Sequence, residues 1–180
     1  MDVRTILAIS ILCLILTGCN DDSKIFGVKI GSTEKQLRNQ VTVVKEDLIP
    51  SKVHYLELTL EAAPENEVGD DAKYTVSVID GKVVGIRAIR NDKEGDYYSS
   101  MVAYAKNKMG EPVATEKGVL NEKEVATITF GCAKNNSCPT PKYTAFRKGT
   151  LNGLVSSGTG NTDIMFYDDS IQEAFKGPFK

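Results

Sequence analysis

The sequence predicts an α+β fold, an antiparallel sheet with helices packed on one face. Three observations carry this expectation. Runs of alternating apolar residues recur at short intervals, two helical patterns interrupt them, and turns containing Gly, Pro or Asp close most of the gaps. Strand runs follow one helix and then another, so neighbouring strands pair antiparallel. The order helix-plus-meander occurs twice, over 25–92 and over 93–178, without residue-level similarity. The reading is a single domain over 25–180 in which the two halves are candidates for related copies of one unit.

The first segment is "IFGVKIGSTEKQLRNQ". Phe26, Val28 and Ile30 alternate, which predicts a strand over 25–30 that breaks at Gly31. Thr33 followed by Gln36 has the spacing of a capping box, and Leu37 and Val41 give the next turns an apolar side, so a short helix is expected over 33–40. "VTVVKEDL" and "KVHYLELTLEA" are β-like, the second with Leu56, Leu58, Leu60 and Ala62 on one face. "APENEVGDD" is an acidic loop.

"AKYTVSVIDGKVVGIRAIR" predicts a β-hairpin around Asp80-Gly81. A two-residue turn pairs Val78 with Val83 and, in an unbroken ladder, sets Tyr74 and Val76 beside Arg87 and Gly85. A three-residue loop, Ile79 to Gly81, pairs Val78 with Lys82 instead. It brings Ala72, Tyr74 and Val76 onto one face with Val84, Ile86 and Ala88, so burial selects the longer loop. "GDYYSSMVAYAKNKMGEP" is the strongest helix. Asp96 is placed to cap it, Tyr98, Met101, Val102, Ala105 and Met109 form an amphipathic stripe, and Gly110 with Pro112 ends it. Strands are expected near 124–131 and over 142–148, 151–156 and 163–168, with a Gly-rich loop at 157–161 and a last helical turn in "SIQEAF".

Residues 1–18 read as an export signal. Arg4 precedes an apolar core, Ile6 to Leu16, that is shorter than the about 20 residues of a membrane span and suits a signal peptide. The core ends Leu16-Thr17-Gly18-Cys19, which resembles the bacterial lipobox. The resemblance implies cleavage before Cys19 and acylation of its sulfur and new amino group. Two or more acyl chains, at about 0.8 kcal/mol per buried methylene, anchor a protein stably. Residues 19–24 are then a lipidated tether and the domain faces the periplasm. An Asp directly after the cysteine favours inner-membrane retention in such lipoproteins. Asn20 holds that place here, which favours the outer membrane.

Two further cysteines, Cys132 and Cys138, lie in "GCAKNNSCPTP". In an exported chain an even pair reads as a disulfide, worth about 2 kcal/mol for so short a loop. The net charge of −2, from 22 basic and 24 acidic side chains, argues against nucleic acid and against a polybasic membrane patch. "IGSTEKQL" and "KMGEPVA" resemble the helix opening and exit of small SmpA/OmlA (BamE-type) envelope lipoproteins, units that also occur in tandem in β-lactamase-inhibitor-like proteins. That resemblance implies an architecture and a protein-binding role, and assigns no functional residue.

His54 is the one histidine, and no nucleophile, metal or cofactor motif accompanies it. "SSGTGNT" lacks the Lys-Ser/Thr of a phosphate loop. Asp70-Asp71 and Asp168-Asp169 read as solvated loop acids. The expected function is a non-catalytic, membrane-anchored binding module of accessory or inhibitor type with a protein partner in the envelope. Tyr97, Tyr104 and Lys134 are its candidate surface. The alternative is an envelope enzyme whose site draws on His54 and scattered acids.

Overall fold

The computed structural model describes residues 24–92, 96–115, 142–158 and 160–175. The strand expected near 124–131 lies outside them. Among the described residues, ten strands and three helices follow in order: β1 (Lys24–Ile25), β2 (Val28–Lys29), α1 (Glu34–Arg38), β3 (Val43–Ile49), β4 (Tyr55–Leu60), β5 (Lys73–Ile79), β6 (Lys82–Asn91), α2 (Tyr97–Met109), β7 (Ala114–Thr115), β8 (Lys142–Lys148), β9 (Leu151–Gly158), β10 (Asn161–Asp168) and α3 (Ser170–Phe175).

β1 and β2 form a minimal hairpin. The other eight strands form one antiparallel sheet in the order β3-β4-β5-β6-β10-β9-β8-β7. The expected α+β class and its antiparallel sheet are therefore present. Among the described residues the topology is mirrored: α1 and α2 are each followed by four strands, and the last strand of each set meets the other at the centre. There β6 and β10 pair from Asn161 with Asn91 to Tyr167 with Gly85.

Partners in the ladders share a face, so the registers sort the side chains. Leu58, Val76, Ile86, Phe166 and Phe146 fall on one face and are buried. α2 lies over this face. Its Met101, Ala105 and Met109 are buried, and Tyr98 reaches the hydroxyl of Thr144 at 2.8 Å. α3 lies on the other face, where a side chain at Gly85 would meet Ile171 at 3.1 Å and Tyr167 at 3.2 Å. The helices are thus not confined to one face as expected.

The N-terminal alternation also resolves differently. Phe26 and Gly27 take left-handed backbone angles, φ 51° and 74°, and fold the chain sharply between β1 and β2. Such an angle is unfavourable for a bulky residue, and tertiary contacts hold it. The Phe26 ring is fully buried, stacked on Tyr104 at 4.9 Å and edge-on to Tyr74 at 5.4 Å and Phe166 at 6.1 Å. The Phe26 N–H donates to the Tyr104 hydroxyl at 3.1 Å, and the Phe26 carbonyl accepts from Glu65 N–H at 3.2 Å. Gly27 is required twice over, because a Cβ there would also lie 2.7 Å from Pro64.

The β5–β6 hairpin corrects the expected loop. Asp80 and Gly81 both have positive φ, 48° and 74°, and form a two-residue turn with Ile79 opposite Lys82 and Val78 opposite Val83. The core grouping is nevertheless kept, with Tyr74 opposite Ala88 and Val76 opposite Ile86. The extra residue sits in the strand: Ser77 pairs with Gly85, and Val84 is left as a β-bulge. Burial of both Val83 and Val84 stabilises that solution.

α1 has the expected capping box. The Gln36 N–H donates to Thr33 Oγ1 at 3.2 Å, and Thr33 N–H donates to Gln36 Oε1 at 2.9 Å. α3 is opened by Asp168, which accepts from Ser170 N–H at 3.0 Å. Burial alone would raise the Asp168 carboxyl. Hydrogen bonds from Thr150, Ser170 and the Asp169 backbone outweigh it and hold the group below its ordinary value.

Two tyrosines of the aromatic cluster give the fold an alkaline limit. Burial pushes the Tyr74 hydroxyl up to about 12. Burial and a hydrogen bond to Glu67 push the Tyr104 hydroxyl up further. Because the folded values lie above the unfolded value near 10, the native state keeps protons that the unfolded chain releases. Stability is therefore intact below about pH 10 and falls as pH rises beyond it. We expect Tyr104→Phe to lower stability at neutral pH by about 1–3 kcal/mol, since it leaves the buried Phe26 N–H without its acceptor. The same variant flattens the loss above pH 10. Urea titrations at pH 7 and pH 11 check both effects, and a variant as steep as the parent at pH 11 would remove Tyr104 from the account.

Candidate binding surface

Tyr97 and Tyr104 share α2 but not a surface. Tyr104 belongs to the aromatic cluster, with its hydroxyl turned to Phe26 and Glu67. It is half-buried and packs against the core, so only part of it reaches the surface. Its distance from the Met101–Ala105–Met109 line concealed this, because Phe26 packs on the flank of the helix. Tyr97 lies at the first turn beneath Arg90, whose guanidinium carbon is 3.5 Å from the ring centroid. Arg90 also donates to the Val68 carbonyl and pairs with Asp71, both at 2.5 Å. Tyr97 thus ties α2 to β6 and to the 66–71 loop, and its ring is partly covered. Lys134, Cys132, Cys138 and Cys19 lie outside the described residues.

The acids expected in loops carry structure. Asp71 holds Arg90, while Asp70 accepts from Asn66 at 2.5 Å. Asp169 accepts from Arg147 at 2.8 Å and from Asn152 at 2.7 Å. His54 is exposed beside the β5–β6 turn, with its backbone N–H donating to Asp80 Oδ1 at 3.2 Å and its carbonyl accepting from Asp80 N–H at 2.9 Å. Among the described residues no group of three or more His, Cys, Asp or Glu is spaced to hold a metal ion. Among the same residues no helix is long and apolar enough to cross a membrane. Of the 157–161 segment, Gly158 ends β9 opposite Asn161 of β10, and Gly160 has φ 83°.

Asp92, which the sequence reading passed over, organises the junction between the halves. Its carboxylate accepts from the N–H of Asp96 at 2.9 Å, the N–H of Tyr97 at 3.1 Å and the buried hydroxyl of Thr162 at 2.6 Å. It therefore caps α2 in place of Asp96, whose side chain makes no capping bond. The only signal was its position just before the helix, four residues earlier than a standard cap.

The sheet face opposite α2 carries, beside α3, side chains that are mostly of intermediate exposure. Alternation and register place Thr59, Thr75, Arg87 and Met165 in one row across β4, β5, β6 and β10. Lys73, Ile89, Asp163, Ser156 and Tyr143 form the next row, from β5 to β8. Most of these side chains are partly exposed. An Arg87–Asp163 ion pair bridges the central β6–β10 seam, and Ser156 donates to the same carboxylate at 2.8 Å. Arg87 remains 43% exposed, so its guanidinium stays available at the centre of the face. The surface combines a charged centre, hydroxyls and apolar side chains on rigid strands.

No protein-family model, curated protein or solved structure matches the chain.

Removing the Asp92 carboxylate tests the junction. We expect Asp92→Ala to cost about 2–4 kcal/mol, because it uncaps α2 and strands the buried Thr162 hydroxyl. Asp92→Asn, which retains an acceptor oxygen, is expected to cost less than half as much. Thermal unfolding of both variants checks the order, and equal losses would show that cap geometry is not the cause.

Proposed function

We propose that this chain is a lipid-anchored bacterial envelope protein that acts as a non-catalytic binding module, an accessory or inhibitor of a protein partner near its membrane. The lipobox-like Leu-Thr-Gly-Cys junction supports anchoring at Cys19, with the domain facing the periplasm and the outer membrane favoured. The mirrored helix-plus-meander topology supports two related halves. One observation carries the binding role: the sheet face opposite α2 is partly open across the seam, with Arg87 exposed at its middle. Rigid strands presenting mixed polar and apolar side chains recognise a partner with little ordering penalty. This surface replaces the helix tyrosines as the docking site. Both halves contribute to it through the paired β6 and β10.

The test has two parts. Cys19→Ser is expected to move the protein from the membrane fraction to the soluble envelope fraction, and a variant that stays in the membrane would contradict the lipobox reading. Thr75→Arg and Met165→Arg set bulky like charges beside Arg87 on the open face. Each is expected to abolish capture of the proteins that the anchored parent retains from envelope extract, with secondary structure unchanged. Undiminished capture would place the docking site elsewhere. Turnover of a small molecule that is lost in His54→Ala would instead favour an enzyme.

A further inference from the structure

The two ends of the sheet differ in charge. Ile49, Tyr55, Ile79 and Lys82 lie in register across β3 to β6, so the 50–54 loop and the β5–β6 turn share one end. The 29–35 segment joins them there. The Ser32 N–H donates to the Lys29 carbonyl at 3.2 Å, Thr33 bridges to Lys82, and the Glu34 N–H donates to the Gly81 carbonyl at 2.8 Å. Lys29, Lys35, Lys52 and Lys82 are exposed on these segments and form no ion pair among the described residues. The acids beside them are engaged, Glu34 by Arg38 at 2.7 Å and Asp80 by the His54 N–H at 3.2 Å. The opposite end is acidic. The 61–72 segment between β4 and β5 carries Glu61, Glu65, Glu67, Asp70 and Asp71, and no Lys or Arg. The net charge of −2 conceals this division, because the two ends cancel.

The first described residue lies toward the basic end. β1 and β2 are antiparallel, with Lys24 opposite Lys29. Their tip meets the acidic segment, where the Glu65 N–H donates to the Phe26 carbonyl at 3.2 Å. Their open end leads to Ser32, whose carbonyl accepts from the Val83 N–H at 2.9 Å. β1 therefore runs away from the basic end. We propose that the domain stands on its own leaflet by this end, with Lys29, Lys35, Lys52 and Lys82 against anionic phospholipid headgroups and the 61–72 segment turned away.

This orientation rests on the lipid anchor at Cys19 proposed above. The chain from Cys19 to Lys24 reaches at most about 18 Å when extended. Surface charge is screened over about 8 Å in physiological salt, so only the end nearest the tether feels the leaflet. The tether itself carries Asp21 and Asp22, which an anionic leaflet repels. The four lysines outweigh them, and each strengthens attraction about fivefold near the surface. A sheet standing on its end keeps both faces clear of the bilayer, so the face around Arg87 stays open to a protein.

Amine acetylation with a membrane-impermeant reagent tests this. The full chain, isolated in detergent from a bacterial host, is placed in vesicles of phosphatidylcholine alone or with about one-quarter cardiolipin. Lys73 and Lys142 are exposed at the far ends of their strands and serve as references. Peptide mass gives the rate at each lysine. With cardiolipin, Lys29, Lys35, Lys52 and Lys82 are expected to react at least about fivefold more slowly, relative to the references, than on phosphatidylcholine alone. Salt at about 0.5 M is expected to remove most of that difference. Lys52→Glu with Lys82→Glu is expected to return Lys29 and Lys35 to within about twofold of their ratio on phosphatidylcholine. Vesicle-bound protein whose four lysines gain no protection from cardiolipin, or in which Lys73 and Lys142 are protected instead, would overturn the orientation and leave the anchor standing. Protein that stays with neither vesicle would overturn the anchor, and the orientation with it.

Discussion

Phe26 sits where the two halves of the fold must agree. Its ring contacts Tyr74 on β5, Tyr104 on α2 and Phe166 on β10, so one side chain touches both meanders and the larger helix. Its backbone is held at φ 51°, an angle that a free chain avoids. The hydrogen bond from its N–H to Tyr104 and the contacts of the 64–65 segment secure the angle. Neither meander alone supplies all three aromatic neighbours. The β1–β2 hairpin therefore acts as a plug whose seat exists only when β6 and β10 are paired.

That arrangement decides what the two faces of the sheet do. The plug, α1 and α2 are committed to one face and make it a core. The opposite face combines polar order around Arg87, Asp163 and Ser156 with the buried Leu154 and Tyr55 and with α3 packed at Gly85. A face held flat by a core behind it presents its side chains without further folding, which is the property a docking surface needs. The edges divide the same way. β7 contributes two residues beside a long β8, while β3 presents seven with charges at its centre.

Local periodicity carried most of the elements into view before any coordinates. β4, β5, β8, β9 and β10 follow their alternating runs, α2 follows its stripe, and the capping box of α1 is formed by Thr33 and Gln36 as expected. What escaped was set by contacts distant in sequence. The alternation of Phe26, Val28 and Ile30 looks like a strand because the turn that breaks it is imposed by Tyr104 and Pro64, neither of which is near in the chain. Parity correctly grouped Tyr74 and Val76 with Ile86 and Ala88. It could not tell an extra residue in the loop from one in the strand, and the structure uses Val84. Tyr104 falls beside the apolar stripe and so resembled a surface residue, although it stacks on Phe26 and is half-buried against the core. Of the candidate site, Tyr97 was visible but its role under Arg90 was not, since Arg90, Val68 and Asp71 converge only after β5 and β6 pair.

The central claim is that the halves form one cooperative unit closed by the Phe26 plug. Native-state hydrogen exchange measures this directly through the amides of Val76, Ile86, Ile164 and Val155, which lie on both sides of the seam. The account predicts one common opening free energy for all four, lowered together by Phe26→Ala. Two distinct free energies, one for β4–β6 and another for β8–β10, with only one of them changed by Phe26→Ala, would contradict it.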